Sequence, residues 1–455
     1  MAIKLLPGVH APHHKNTADM KPVRMGAPAV VKIPMSMNIG RPATPIVKPG
    51  EKVQVGQKIA EAGGFVSSPI FASVSGTVKK IEDYLLFHGG VCPAVVIESD
   101  GEQTMFEGLH PHESEVKDLD SFVQAVADSG VVGLGGAGFP TAVKLKAEPQ
   151  KVDFICINGA ECEPFITADT RTMLDNAERL IKGMEMLNNF YRPDHVWIGI
   201  ENNKPQAIAK LRQMTERIQG VDVWELPAMY PQGGEKVLIH NITGRIVPEG
   251  KLPLDVGCIV VNPTTLVTII RYLEKGIPLT EKVLTVDGSA VKHPMNVIAP
   301  IGASIRDVVE FTGGFRETPK KILMGGPMMG ISIPSLDDVV VKNTNALICL
   351  NEKDATPPAP TPCIKCGRCI AHCPLHLMPA DIETAYQMHK PEDLKALKVN
   401  LCMECGCCSF ICPARRPLVQ TNKLAKAVLN QYNAKLKADA EKKAAKEAAQ
   451  KEAKA

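Results

Sequence analysis

Eight cysteines between Cys363 and Cys412 carry the clearest chemistry in this sequence. Cys363, Cys366, Cys369 and Cys373 spell C-x2-C-x2-C-x3-C with Pro374 next, and Cys402, Cys405, Cys408 and Cys412 repeat the run with Pro413 next. Three cysteines at intervals of three residues wrap a tight loop around one cubane and turn their thiolates inward. The fourth, just before the proline, leaves that loop and reaches across to the other cube. Cys363, Cys366, Cys369 and Cys412 are therefore expected on one [4Fe–4S] cluster, and Cys402, Cys405, Cys408 and Cys373 on a second. Gly367 and Gly406 sit inside the loops, where backbone meets sulfide closely. Zinc fits this pattern poorly, because it takes four ligands, usually as paired C-x2-C units. Disulfides would need an oxidising compartment, and no export signal is present. Cys407 has no slot in the pattern and is expected as a small residue beside the second cluster. Two clusters make an electron wire, and a wire needs a donor and an acceptor.

A second stretch offers a place for one of them. Gly133-Leu-Gly-Gly-Ala-Gly-Phe-Pro-Thr-Ala-Val-Lys144 contains G-x-G-x-x-G, but a helix precedes it where a dinucleotide-binding unit would have a strand. The run is either a flexible turn or a loop whose bare N–H groups hold phosphate ahead of a helix N-terminus, with Lys144 adding a charge. Val152–Ile157 reads as a buried strand ending in Asn158-Gly-Ala-Glu-Cys-Glu-Pro164, and α/β sheets place ligands at such strand ends. Tyr230-Pro-Gln-Gly-Gly-Glu-Lys236 is a second glycine turn opening a helix, and Val260-Val-Asn-Pro-Thr-Thr265 is another polar strand end.

The elements around these motifs read as four modules and two tails. Residues 1–25 form a polar arm rich in His, Lys and Pro. Residues 26–110 carry short β-branched strands punctuated by glycines. The phrase VKPGEKVQVGQKIA, followed by SGTV, resembles the barrel-sandwich fold of biotinyl and lipoyl carriers. The segment between the two phrases, Phe65–Phe71, has no lysine to modify, so this domain is expected to be structural. Residues 111–279 alternate strands and helices and predict an α/β domain. Residues 280–345 read as a β-grasp-like module. A Pro-rich linker over 354–362 leads to a helical two-cluster domain over 354–430. Residues 434–455 are a charged tail without an apolar stripe.

Composition narrows the partners. A chain of 455 residues implies about three domains. The tail holds seven lysines against four acids, which is the whole of the net charge of +3, so the body has no basic footprint for nucleic acid. No apolar run is long enough for a transmembrane helix. Cys92, Cys156, Cys162, Cys258 and Cys349 are scattered and are expected as small buried hydrophobes.

The loop GLGGAGFPTAVK with NGAECEP resembles the flavin-carrying, NADH-oxidising subunit of respiratory complex I. There a G-x-G-G-A-G-F-P-T-x-x-K loop and an N-x-D-E-x-E-P segment hold FMN and the nicotinamide nucleotide. The resemblance implies cofactor contacts at Gly133, Gly135, Gly136, Gly138, Phe139, Lys144, Asn158, Glu161 and Glu163. It extends to Gly233, Gly234 and Glu235 in a Y-x-x-G-E-E-like turn, and to Asn262 and Thr265 at the later polar strand end. Leu134, Ala160 and Gly234 stand where that family has Arg, Asp and Glu. The duplicated cysteine motif and the N-terminal barrel sandwich instead resemble the RnfC subunit of the Rnf complex, a membrane-associated, ion-moving ferredoxin–NAD oxidoreductase. That resemblance implies FMN, two [4Fe–4S] clusters and NAD(H), with Glu163 as the catalytic carboxylate beside the nicotinamide. FMN is expected rather than FAD, because one glycine loop with Lys144 serves one phosphate. Phe139 is placed to stack on the nucleotide. The implied setting is peripheral, on the cytoplasmic side of the cell membrane, with membrane-embedded and iron–sulfur subunits as partners. The alternatives are a non-enzymatic two-cluster carrier and a subunit of a soluble flavin-dependent dehydrogenase.

Overall fold

Residues 30–34, 91–99, 76–85 and 52–53 form a four-stranded antiparallel sheet in that spatial order, and residues 44–45, 58–61 and 70–71 form a three-stranded partner. Val31, Ile33, Val78, Val95 and Ile97 point inward with no exposed surface, as the period-two pattern of these strands requires. This fold comes from a computed structural model that describes residues 3–86 and 89–452. The chain divides into a larger unit, residues 10–356 with 1–5, and a smaller one, residues 357–455 with 6–9. The tail's last three residues lie outside the described residues.

In the larger unit the next elements are α1 (Leu119–Asp128), α2 (Thr141–Leu145), β1 (Phe154–Asn158), α3 (Ala168–Asp175), α4 (Ala177–Tyr191), β2 (His195–Glu201), α5 (Pro205–Thr215), β3 (Val221–Leu226), α6 (Glu235–Thr243), β4 (Cys258–Val261) and α7 (Pro263–Lys275). The four strands are parallel, in the order β3-β2-β1-β4. The chain winds outward one way through β1, β2 and β3, then places β4 on the other side of β1. The strand order reverses between β1 and β4, and ligands bind outside the carboxyl ends of strands at such a point. Asn158 and Asn262 end those two strands there. The sequence suggests one helix over 168–189, but Asn176 leaves the helical region at φ −125° and divides it into α3 and α4. Helix α7 is well closed: Asn262 accepts from the Thr265 N–H, Pro263 opens the first turn, and Gly276 ends it in the left-handed region.

The β-grasp-like module is a six-stranded sheet in the order 23–24, 295–300, 281–287, 346–350, 321–324, 331–332, with a helix at Ile305–Phe311 capped by Ser304. Its first edge strand is Val23–Arg24, from the arm. The arm is therefore tied into the fold: Val23 pairs with Val297, and Asn296 donates to the Thr17 carbonyl at 3.0 Å. Lys342, fully buried, donates to Ser68 Oγ (3.0 Å), the Pro69 carbonyl (2.7 Å) and the Gly130 carbonyl (2.8 Å), so one ammonium fastens three modules together.

The smaller unit is helical. Leu377, Ile382, Ala385, Leu394, Val399, Ala425 and Leu429 make its core. The two cysteine loops repeat in backbone as well as in sequence. Lys365 and Glu404, Gly367 and Gly406, and His376 and Arg415 occupy equivalent places, and all six have φ between 53° and 79°. A helix of 35 residues, Leu418–Glu452, runs from the core through the charged tail. Among the described residues no helix is long and apolar enough to cross a membrane.

Candidate functional site

The glycine run closes into a loop. The Gly133 N–H donates to the Phe139 carbonyl at 2.8 Å, and Val132 bridges Pro140. Three separate segments hold the loop. Thr265 Oγ1 accepts from the Leu134 N–H at 2.9 Å, Asn343 Nδ2 donates to the Gly136 carbonyl at 2.9 Å, and the Ile39 N–H donates to the Gly138 carbonyl at 3.1 Å. Gly135 packs so closely on Asn262 that any Cβ there would collide with the side-chain amide. Gly138 sits at φ +70°, where side chains are disfavoured. Gly136 is different: a Cβ would meet nothing within 4 Å, so its outer face is open.

The other expected residues are tied to one another and to neighbouring segments. Asn158 Nδ2 donates to the Gly233 carbonyl at 2.9 Å, which joins the end of β1 to the second glycine turn. Lys144 Nζ pairs with Glu235 Oε1 at 2.7 Å and joins that turn to α2. Gly234 caps α6, whose first residue is Glu235. Helix α2 is only five residues long, so it has little macrodipole to offer an anion. Cys162 Sγ accepts from the Gly233 N–H at 3.4 Å, whereas Cys92, Cys156, Cys258 and Cys349 are buried in the cores.

The two glutamates have distinct surroundings. Glu161 is buried. Its oxygens accept from the Asp169 N–H (2.7 Å), the Thr170 N–H (3.2 Å) and Thr170 Oγ1 (2.6 Å), capping α3, and burial raises its pKa. Asp169 in turn accepts from Asn262 Nδ2 at 2.7 Å. Glu163 accepts from the Met328 and Met329 N–H groups at 3.0 and 2.8 Å, and burial pushes its pKa up to about 7.

Sequence reasoning missed Lys15. Its ammonium, lowered in pKa by burial, donates to the carbonyls of Glu161 (2.7 Å), Glu163 (2.8 Å) and Ile166 (2.6 Å). Nothing in a His- and Lys-rich arm marks one lysine for burial. Asn343 was also missed, since it is distant from every motif in the sequence.

The residues fit a flavin mononucleotide by two features. The buried Asn158 Oδ1 has no hydrogen-bond partner, and Gly136 leaves the loop open on one side. The cysteines fit clusters by theirs. Cys402, Cys405 and Cys408 line one cavity together with Cys373 from the other motif, and Cys407, 1 % exposed, lines it too. A single zinc would draw four sulfurs to about 3.8 Å from one another. Among the described residues the one group of His, Cys, Asp and Glu side chains that converges within 4.8 Å is His110, His112 and Glu115, in the larger unit. Burial raises the Cys373, Cys402 and Cys408 thiols, the last to about 12, so a metal charge is needed to hold them as thiolates. Asn422 Nδ2 lies 3.5 Å from Cys402 Sγ and the Leu377 N–H 3.4 Å from Cys373 Sγ, contacts of the kind that tune cluster potential. Around the other set, burial and then the Cys412 thiol raise Cys369.

Comparison with known proteins gives the chain its family. A barrel sandwich hybrid domain of RnfC matches residues 3–102, the Nuo51 FMN-binding domain 126–271, an SLBB domain 283–332, and a 4Fe-4S dicluster domain 359–447. The matching subunit of the proton-translocating ferredoxin:NAD(+) oxidoreductase complex of Clostridium ljungdahlii is 42% identical over 377 residues, 82% of each chain. The chain belongs to the RnfC family. Its counterpart in the Na(+)-translocating ferredoxin:NAD(+) oxidoreductase complex of Acetobacterium woodii is also 42% identical, over 82% of this chain and 85% of its own. That of the ion-translocating oxidoreductase complex of Rhodobacter capsulatus is 36% identical over 93% of this chain and 83% of its own. As an RnfC chain it has an FMN-binding domain and a dicluster domain, and its β-grasp-like module is the SLBB domain.

Proposed function

We propose that this chain is the NAD(H)-handling subunit of an ion-translocating ferredoxin:NAD oxidoreductase complex, docked on the cytoplasmic face of the membrane. Its partners are the membrane-embedded and iron–sulfur subunits of that complex. The observation that carries this reading is the meeting of the glycine loop, Asn158 and Asn262 at the point where the sheet's strand order reverses, in a chain that also holds eight paired cysteines.

FMN at the loop and two [4Fe–4S] clusters would supply hydride exchange with NAD(H) and single-electron conduction. The protein's part is positional. Gly133, Gly135 and Gly138 keep the loop tight, and Gly136 leaves room for the cofactor. Asn158 offers its free Oδ1 to the cofactor, and Phe139 is placed to stack on the nucleotide. Thr265 and Asn262 fix the loop's base, while the Lys144–Glu235 pair and Gly233–Gly234 set its far wall. Glu161 holds the acidic turn by capping α3. Glu163, with a pKa near neutrality, faces the choice between proton and charge at working pH, which suits a group beside a nicotinamide. Cys363, Cys366, Cys369 and Cys412 would hold one cluster, and Cys402, Cys405, Cys408 and Cys373 the other.

Anaerobically purified protein should contain about eight iron per chain and one FMN, and NADH should bleach the flavin absorbance. Iron without any FMN, before or after reconstitution, would leave only the carrier role.

A further inference from the structure

The segment joining the barrel sandwich to the FMN-binding domain carries three side chains that take no part in flavin or cluster binding. His110 Nε2 lies 3.2 Å from Glu115 Oε1, and His112 Nδ1 lies 2.9 Å from Glu115 Oε2. The three ligand atoms all fall within 4.8 Å of one another. We propose that His110, His112 and Glu115 form a divalent-cation site of the zinc class, completed by water.

The segment is built rigidly enough to present them. Pro111 fixes the backbone between the two histidines. The His112 N–H donates to the Leu273 carbonyl at 2.7 Å, and its ring stacks on Tyr272 at 4.6 Å. The Glu115 N–H returns to the His112 carbonyl at 3.0 Å, closing a turn that brings the carboxylate over both rings. Gly276, at the end of α7, has no side chain, which lets the His110 main chain lie directly against it.

An imidazolium would meet both neighbours of His110 with its two N–H groups, and a neutral ring would do so only with a cation on Nε2. His110 Nδ1 is 3.1 Å from the Gly108 carbonyl, and its Nε2 faces the Glu115 carboxylate. Both partners are acceptors, and a neutral imidazole has one N–H. With that N–H given to Gly108, Nε2 aims a lone pair at a carboxylate oxygen. A metal ion between them turns the repulsion into two bonds. A histidine ligand whose other ring nitrogen donates to a carbonyl is the usual arrangement at metal sites. Two nitrogens, one carboxylate and a water make a tetrahedral set suited to zinc. The competing arrangement is an imidazolium–carboxylate pair with no metal.

The experiment is equilibrium dialysis of the cluster-loaded protein against micromolar zinc, with zinc and iron both measured. One zinc per chain is expected, removable by chelator without loss of iron. His110→Ala, at a largely exposed side chain, and Glu115→Gln should each weaken zinc binding at least tenfold, while His10→Ala should not. Added zinc should raise the unfolding temperature of the unaltered protein but not of His110→Ala. If no zinc binds, or if it survives in both variants, the cluster is only an imidazolium–carboxylate pair and the proposal fails.

Discussion

Lys15 and Glu163 stand 148 residues apart in sequence, and the ammonium of the first donates to the main-chain carbonyl of the second at 2.8 Å. The same ammonium serves the carbonyls of Glu161 and Ile166, so the acidic turn of the site is folded around a cation supplied by the arm. Lys15→Met would strip the carbonyls of Glu163 and Ile166 of this donor, at about 1–3 kcal/mol for each, and leave the Glu161 carbonyl only the Lys204 ammonium at 3.5 Å. NADH oxidation should fall at least tenfold, with FMN bound more weakly and iron content unchanged. Arginine should rescue poorly, because a planar fork does not match three converging carbonyls. Full activity in Lys15→Met would show that the turn holds its shape without the arm.

The glycines of the loop should separate by role. Gly136 opens to free space and Gly135 abuts Asn262. Gly136→Glu should abolish FMN binding while leaving the unfolding temperature and the iron content nearly unchanged. Gly135→Ala should lower stability as well, because Asn262 must move. Retention of NADH-to-dye activity by Gly136→Glu would remove the loop from the cofactor site.

Cluster ligation should cross between the motifs. Cys412→Ser should damage the cluster held by Cys363, Cys366 and Cys369, and Cys373→Ser the one held by Cys402, Cys405 and Cys408. Cys407→Ser should leave both in place. Electron paramagnetic resonance of the reduced variants distinguishes this from ligation within each motif.

Glu163 should make the site sensitive to pH. Burial raises its folded pKa to about 7, above the unfolded value of about 4.3. Its contribution to stability is therefore fully present below the unfolded value and is lost as pH rises through 7. The rate of NADH oxidation should bend near pH 7, and Glu163→Gln should remove the bend while keeping FMN bound. An unchanged profile in that variant would assign the bend to another group.

Removing residues 434–455 should spare NADH oxidation and both clusters. Among the described residues, the last apolar side chains of the long helix that pack on the core of the smaller unit are Leu429 and, partly buried, Tyr432. A fall in cluster content on truncation would mean that the tail supports the fold.

Much of this was legible in the chain, for physical reasons. Cysteine spacing is set by the shape of a cubane, so the dicluster domain could be read without any tertiary knowledge. The alternation of buried strands and helices gave the α/β module, and glycine spacing marked its loop. What was hidden depends on long-range contacts. Lys15 looks like any lysine in a polar arm until its carbonyl partners arrive. Glu161 matches a cofactor motif, yet its carboxylate caps α3 from eight residues away. Lys342, which fastens three modules, carries no local signal at all. The break at Asn176 lies inside a pattern that is periodic on both sides.

The pairing of Val23 with Val297 sets an order of assembly. The arm leaves the ribosome well before its partners, since its strand partner is Met295–Pro300 and its lysine needs the turn that ends near Ile166. Val23 and Arg24 must therefore wait for their strand partner while most of the larger unit is synthesised, whereas Lys15 needs the chain only as far as Ile166. Contacts of such sequence separation form late and slowly. The acidic turn acquires its last contacts only once Met328 and Met329 have been made, because their N–H groups hold the Glu163 carboxylate.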